Sequence, residues 1–131
     1  MVGPGRKRFS FTPTHKTLHD VLIDRNLAPL GDAYTNLIYS LFLSAKRRKP
    51  TGAKADSHML SNALRKAELR KLLPSRIDRH KQADAAETLL VYVWLHGLTT
   101  VAEDVEIVTK HDDGVEAFSS LLSGAKRKLN L

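Results

Sequence analysis

The sequence predicts an all-α protein. Apolar residues recur at helical spacing in each long segment, and no alternating strand pattern or hairpin turn interrupts them. The punctuation agrees, because Thr100 with Glu103 and Asp113 with Glu116 have the spacing of helix-start capping boxes, while Pro and Gly fall where periodic runs stop.

Residues 1–11 hold Gly3, Pro4, Gly5 and the run Arg6-Lys7-Arg8 without periodicity, and read as a flexible basic arm. Thr12 and Pro13 make a cap and first turn for a short amphipathic helix through Leu18, Val21 and Leu22 to about Asn26. His15 and His19, four apart, read as two exposed helix histidines; the spacing also suits a metal, but no carboxylate motif accompanies it. Leu30, Ala33, Tyr34, Leu37, Ile38, Leu41, Phe42 and Ala45 then form one continuous face of a long helix. That helix starts near Pro29 and frays into Lys46-Arg47-Arg48-Lys49 before Pro50 and Gly52.

Asp56 or Ser57 caps a third helix carrying Met59, Leu60, Ala63, Leu64 and Ala67. Leu69, Leu72 and Leu73 either continue it or form a short successor ended by Pro74. The segment from about Arg79 to His96 is apolar nearly all round beyond Thr88, which marks the central buried helix, with Gly97 as its stop. Two closing helices follow, the second ending near Gly124. The expected organisation is therefore the arm at 1–11, one helical domain at 12–124 and a basic tail at 125–131 that includes Lys126, Arg127 and Lys128.

At 131 residues the chain has room for one core, which excludes an enzyme with separate cofactor and substrate lobes. It has no cysteine, so disulfides, thiolate zinc sites and cysteine nucleophiles are excluded, and carboxylates and His remain as metal ligands. No apolar run approaches the ~18 residues of a membrane span, and the start lacks a secretory signal, so a cytoplasmic protein is expected. The net charge of +7 is unevenly spread. Residues 45–82 hold twelve bases and three acids, and residues 83–117 hold eight acids and one base. Such a basic middle favours a polyanionic partner, although charge balance on an ordinary surface would give a similar count.

Asp84 and Glu87 stand three apart at the start of the most apolar helix, which points both carboxylates to one side. Buried without partners they would cost several kcal/mol each, roughly, and a hard cation such as Mg²⁺ between them would remove that cost. The alternative is structural: Asp84 caps the helix and Glu87 pairs with Arg79 or Lys81. Asp32, near the start of the long helix, has Asn36 four residues on along the same side.

Two motifs in order resemble the catalytic domain of the ribonuclease III family. The first is Leu30-Gly31-Asp32-Ala33-Tyr34 leading into the long helix. The second is Ala83-Asp84-Ala85-Ala86-Glu87-Thr88-Leu89-Leu90 followed by Tyr92 and the Leu95-to-Gly97 stop. The resemblance covers about residues 12–110 and is closest to short archaeal members that lack a double-stranded-RNA-binding domain. It implies an all-helical endonuclease that forms a homodimer through the long helix, with part of Leu37, Leu41 and Phe42 in the contact, although the same apolar residues could be interior core. It also implies Asp32, Asp84 and Glu87 as catalytic residues holding Mg²⁺, or Mn²⁺. The chain departs from the family pattern at Ala28, where a fourth ligand, a Glu, is expected. Asn36 is a candidate substitute ligand, and otherwise a helix-surface amide.

The function this implies is metal-dependent cleavage of double-stranded or structured RNA without an organic cofactor. The alternatives are a non-catalytic RNA-binding component with the same fold and, more weakly, a helical module for an acidic protein. Arg47, Arg48, Lys49, Lys54, Arg65 and Lys66 are the candidate RNA contacts, because shape and charge dominate recognition of an A-form duplex. Lys54 lies in Pro50-Thr51-Gly52-Ala53-Lys54, which lacks the spacing of a nucleotide-binding P-loop. His80, four residues before Asp84, could orient a carboxylate or touch phosphate, and otherwise is a surface or capping histidine.

Overall fold

The computed structural model describes residues 9–131; residues 1–8, which carry most of the expected basic arm, lie outside the described residues. The described residues form six helices and one 3₁₀ turn. The helices are α1 (Leu18–Leu22), α2 (Ala28–Arg47), α3 (Ser57–Lys66), α4 (Arg79–Leu95), α5 (Val101–Val108) and α6 (Gly114–Leu129). The expectation of an all-helical domain holds, and no helix among the described residues is long and apolar enough to cross a membrane.

The helix α4 is the hub, packed by α1, α2, α3 and α6. Twelve of its residues are buried, including Leu89, Leu90, Val91 and Leu95, because it is apolar on every side beyond its first turns. Its N-cap is Asp78, whose side chain accepts from Lys81 N–H at 2.9 Å. The capping role that sequence alone left open for Asp84 is thereby filled six residues earlier. Gly97 ends the element in a left-handed conformation, φ 72°.

Several boundaries differ from expectation for physical reasons. The first helix begins at Leu18, capped by Thr17, because Pro13 and His15 give backbone groups to His96 at the end of α4 and to Tyr92 within it. Pro13 carbonyl accepts from His96 Nε2 at 2.8 Å, and His15 N–H donates to Tyr92 Oη at 3.0 Å. His15 and His19 therefore do not share a helix face. His15 Nε2 meets Asp24 Oδ2 at 2.8 Å, and His19 Nδ1 donates to Leu72 carbonyl at 2.7 Å.

The single apolar face expected on α2 is divided. Tyr34, Ile38 and Phe42 are buried beside Gly31 and Thr35, whereas Leu30 and Leu37 are 39% and 46% exposed. That helix ends at Arg47 with Arg48 in the left-handed region, so Lys49 lies beyond it. The segment after α3 forms a 3₁₀ turn at Arg70–Leu72, the short successor. The last helix continues past Gly124 through Lys126, Arg127 and Lys128, since buried Ala125 and half-buried Leu129 prolong its apolar face. One interior Gly costs about 1 kcal/mol, too little to stop it.

Candidate active site

The helices α2 and α4 touch at Gly31. A β-carbon built on Gly31 would stand 2.6 Å from the Glu87 carbonyl oxygen, closer than any side chain can approach, so only Gly permits this contact. The consequence falls on the next residue: Asp32 is set against Glu87, and one helical turn back along α4 brings Asp84 to the same place. A polar cavity of about 500 Å³ opens there, lined by Asp32, Lys54, Asp56, Ser57, His80, Asp84 and Glu87. Asp32 thus shares one site with Asp84 and Glu87, distant from it in sequence, and with a fourth carboxylate, Asp56, which the sequence offered only as a helix cap.

Glu87 is 4% exposed. Burial, then the charge of Asp32 and a hydrogen bond shared with it, push the Glu87 carboxyl up to about 8, while the Lys54 ammonium acts against that rise. Asp84, at the mouth, is raised by partial desolvation and by Asp32. At neutral pH Glu87 therefore keeps its proton. In this arrangement no group of three or more His, Asp or Glu among the described residues converges in a ligating geometry.

One wall of the cavity comes from the extended segment 51–56, which sequence periodicity could not place. Asn36, Ser40 and Ser44 continue the stripe of Asp32 along α2 at four-residue intervals. Ser44 Oγ accepts from Thr51 N–H at 2.8 Å, and Ser40 Oγ accepts from Ala53 N–H at 2.9 Å and donates to Ala53 carbonyl at 3.0 Å. Asn36 Oδ1 accepts from Ala55 N–H at 2.8 Å. Four helical residues rise about 6 Å and two extended residues about 6.6 Å, so the two periods stay in step over three rungs. The segment runs back along α2 and delivers Lys54, Asp56 and the start of α3 to Asp32. Asn36 anchors this loop, is absent from the cavity lining, and has its oxygen committed to a backbone amide.

The candidate RNA contacts scatter. Lys54 joins the carboxylates, whereas Arg47, Arg48 and Lys49 are exposed at the far end of α2, about 22 Å from Asp32 by helical rise. Arg65 is exposed on α3, and Lys66 forms an ion pair with Glu116 of α6. His80 lines the cavity. Ala28, in the first turn of α2, lies instead beside a separate apolar cleft that it shares with Asp84.

A helical domain wrapped around one buried helix, with carboxylates from α2 and α4 meeting in a polar cavity, defines a class of acidic-site α proteins. The sequence model for ribonuclease III matches residues 25–127, which include every site residue named above, and the chain belongs to the ribonuclease III family. No curated protein matches the chain.

The donor set fits a hard divalent cation. Every acidic group offers carboxylate oxygens, and a cation beside Glu87 would replace the proton that burial forces on it.

Proposed function

We propose that this protein is a metal-dependent endoribonuclease that hydrolyses phosphodiester bonds of double-stranded or structured RNA and works as a homodimer. The observation that supports it most is the meeting of Asp32, Asp84 and Glu87 in one polar cavity of a ribonuclease III-family domain.

Asp32, Asp84 and Glu87 would hold Mg²⁺, or Mn²⁺, which when bound acidifies a water and offsets charge on phosphate oxygens. Glu87 becomes a carboxylate ligand only by giving up its proton, so cation capture releases a proton and strengthens as pH rises. Asp84, the most exposed of the three, would be the carboxylate most open to an arriving phosphate. Arg47, Arg48, Lys49 and Arg65, exposed and in no ion pair among the described residues, grip the duplex backbone; the Glu116 partner of Lys66 makes that residue the weaker contact.

A dimer reading is supported by the apolar surface near α2. Exposed Ile23 lines a cleft of about 320 Å³ with Leu22, Ala28, Leu73 and Ile77, and Leu30 and Leu37 are exposed farther along α2. A ridge beside a groove is self-complementary under two-fold symmetry.

The test is cleavage of a labelled RNA duplex by the wild type and Asp84→Ala with Mg²⁺, Mn²⁺ and EDTA. Metal-dependent cuts on both strands that vanish in the variant, with RNA binding retained, are expected. RNA bound but uncut in either metal would overturn the nuclease and leave an RNA-binding protein of this fold, a reading that Ala28 favours.

A further inference from the structure

We infer that Lys54 is a catalytic residue that meets the non-bridging oxygens of the scissile phosphate, and that Asn36, Ser40 and Ser44 are positioning residues that hold it there. The inference rests on the nuclease reading and concerns residues whose roles that reading leaves open.

Arg47–Lys49, exposed at the far end of α2, lie too far from the carboxylates to act in the chemical step; Lys54 is exposed as well, and its place is what differs. Lys54 instead lines the cavity of Asp32, Asp84 and Glu87, and is the one Lys or Arg there. It makes no ion pair within 4.0 Å among the described residues, so its three N–H donors remain for a ligand. Its place is also built. The backbone on either side of Lys54 is fixed by Ser40, which both accepts from and donates to Ala53, and by Asn36, which accepts from Ala55. A Lys side chain is long and flexible, and pinning its backbone on both flanks removes much of the freedom that would otherwise blunt its effect.

The chemistry asks for a cation at this point. Hydrolysis joins a water oxygen to phosphorus and breaks one phosphorus–ribose oxygen bond; the water loses a proton and the departing oxygen takes one up. Negative charge on the non-bridging oxygens peaks between those events. An ammonium whose backbone is held beside the carboxylates is already in place to stabilise that charge. Because Lys54 also repels a cation held by the carboxylates, its removal has opposite effects on metal capture and on the chemical step.

The test compares the wild type with Lys54→Met, Lys54→Arg and Ser40→Ala. It uses single-turnover cleavage of an RNA hairpin with Mg²⁺, binding of the same hairpin in EDTA, and calorimetric titration of Mg²⁺ without RNA. Lys54→Met is expected to slow cleavage about 100-fold, to leave RNA affinity within about threefold, and to tighten Mg²⁺ binding. Lys54→Arg recovers part of the rate. Ser40→Ala slows cleavage about tenfold and raises hydrogen exchange at the Ala53 amide while the fold persists. If Lys54→Met cleaves at the wild-type rate but binds RNA more weakly with a shallower salt dependence, Lys54 is a grip residue and the inference falls. Faster exchange in Ser40→Ala with an unchanged rate removes the positioning role. A wild type that cuts nothing overturns the nuclease reading and this inference with it; a wild type that cuts as fast as Lys54→Met overturns this inference alone.

Discussion

Tyr34 Oη donates a 2.6 Å hydrogen bond to Asp104 Oδ2, joining α2 to α5 two residues beyond Asp32. Asp104 is 2% exposed and accepts a second bond from Thr99 Oγ1, also 2.6 Å. Burial raises the Asp104 carboxyl and these two donors lower it, so the acid depends on both. Tyr34→Phe removes one donor and leaves a buried carboxylate oxygen short of a partner. The expected loss is about 1–3 kcal/mol, read as a lower urea midpoint at unchanged m-value.

Gly31→Ala forces a β-carbon onto the Glu87 carbonyl and pushes α2 off α4. Stability should fall by about 1–3 kcal/mol. Because Asp32 moves with α2, cleavage should fall more steeply than stability accounts for. Melting curves and single-turnover rates on the same preparation check this, and a variant that is stable but inactive would locate the effect in the Asp32–Glu87 spacing.

The Glu87 carboxyl, raised to about 8 from 4.5, makes the metal-free fold pH-sensitive. Its folded value lies above its unfolded one, so the folded form keeps a proton that the unfolded form releases. The stability it confers is full below about pH 4.5 and declines as pH rises toward 8. Glu87→Gln should flatten that decline and stabilise the metal-free protein at pH 8 by about 1–3 kcal/mol. Mg²⁺ should raise the melting temperature of the wild type at pH 8 and leave the variant nearly unmoved.

Ala28→Glu would restore the carboxylate that the family pattern places there. From the cleft shared with Asp84 it can reach the Asp84 side of the site. Mg²⁺ affinity should rise about tenfold by titration calorimetry. Unchanged affinity would mean that the site functions as a three-carboxylate centre.

Replacing Arg47, Arg48 and Lys49 together by Gln should weaken binding of any RNA duplex about equally and lower the salt dependence. The slope of log affinity against log salt should drop by about 2–3. The cleavage rate of saturated enzyme should stay near that of the wild type, since these residues lie far from Asp32.

Much of this fold was legible because helices that bury a stripe announce it in their spacing; α4 is the clearest case, with apolar residues on all sides from Leu89 to Leu95. Spacing could not say which apolar residues meet the interior. Leu37 and Ile38 are adjacent in the same pattern, yet Ile38 is fully buried and Leu37 is nearly half exposed. Periodicity reports an apolar face, and a face that awaits another chain has the same signature as one that enters the core. For the site, Asp32, Asp84 and Glu87 came from motif and spacing, and they share a cavity. The rungs at Ser40 and Ser44, and the place in the site of Asp56, which the sequence offered only as a helix cap, escaped notice because they depend on backbone hydrogen bonds and loop placement, which leave no hydrophobic trace. A polar residue every fourth position after Asp32 was the one available sign.

The rungs between α2 and residues 51–56 also impose a parity rule on the loop. Thr51, Ala53 and Ala55 turn their amides to the helix, and the even-numbered residues between them stay on the other register. Lengthening the loop before Thr51 leaves that assignment intact. One residue inserted between Ala53 and Ala55 exchanges odd for even, whereas two return Lys54 to its side at the expense of a bulge. Loop length is thus tolerant upstream and counted in twos downstream, so related chains that keep this stripe on α2 should vary in length at Lys49 and Pro50 and hold constant the interval from Thr51 to Asp56.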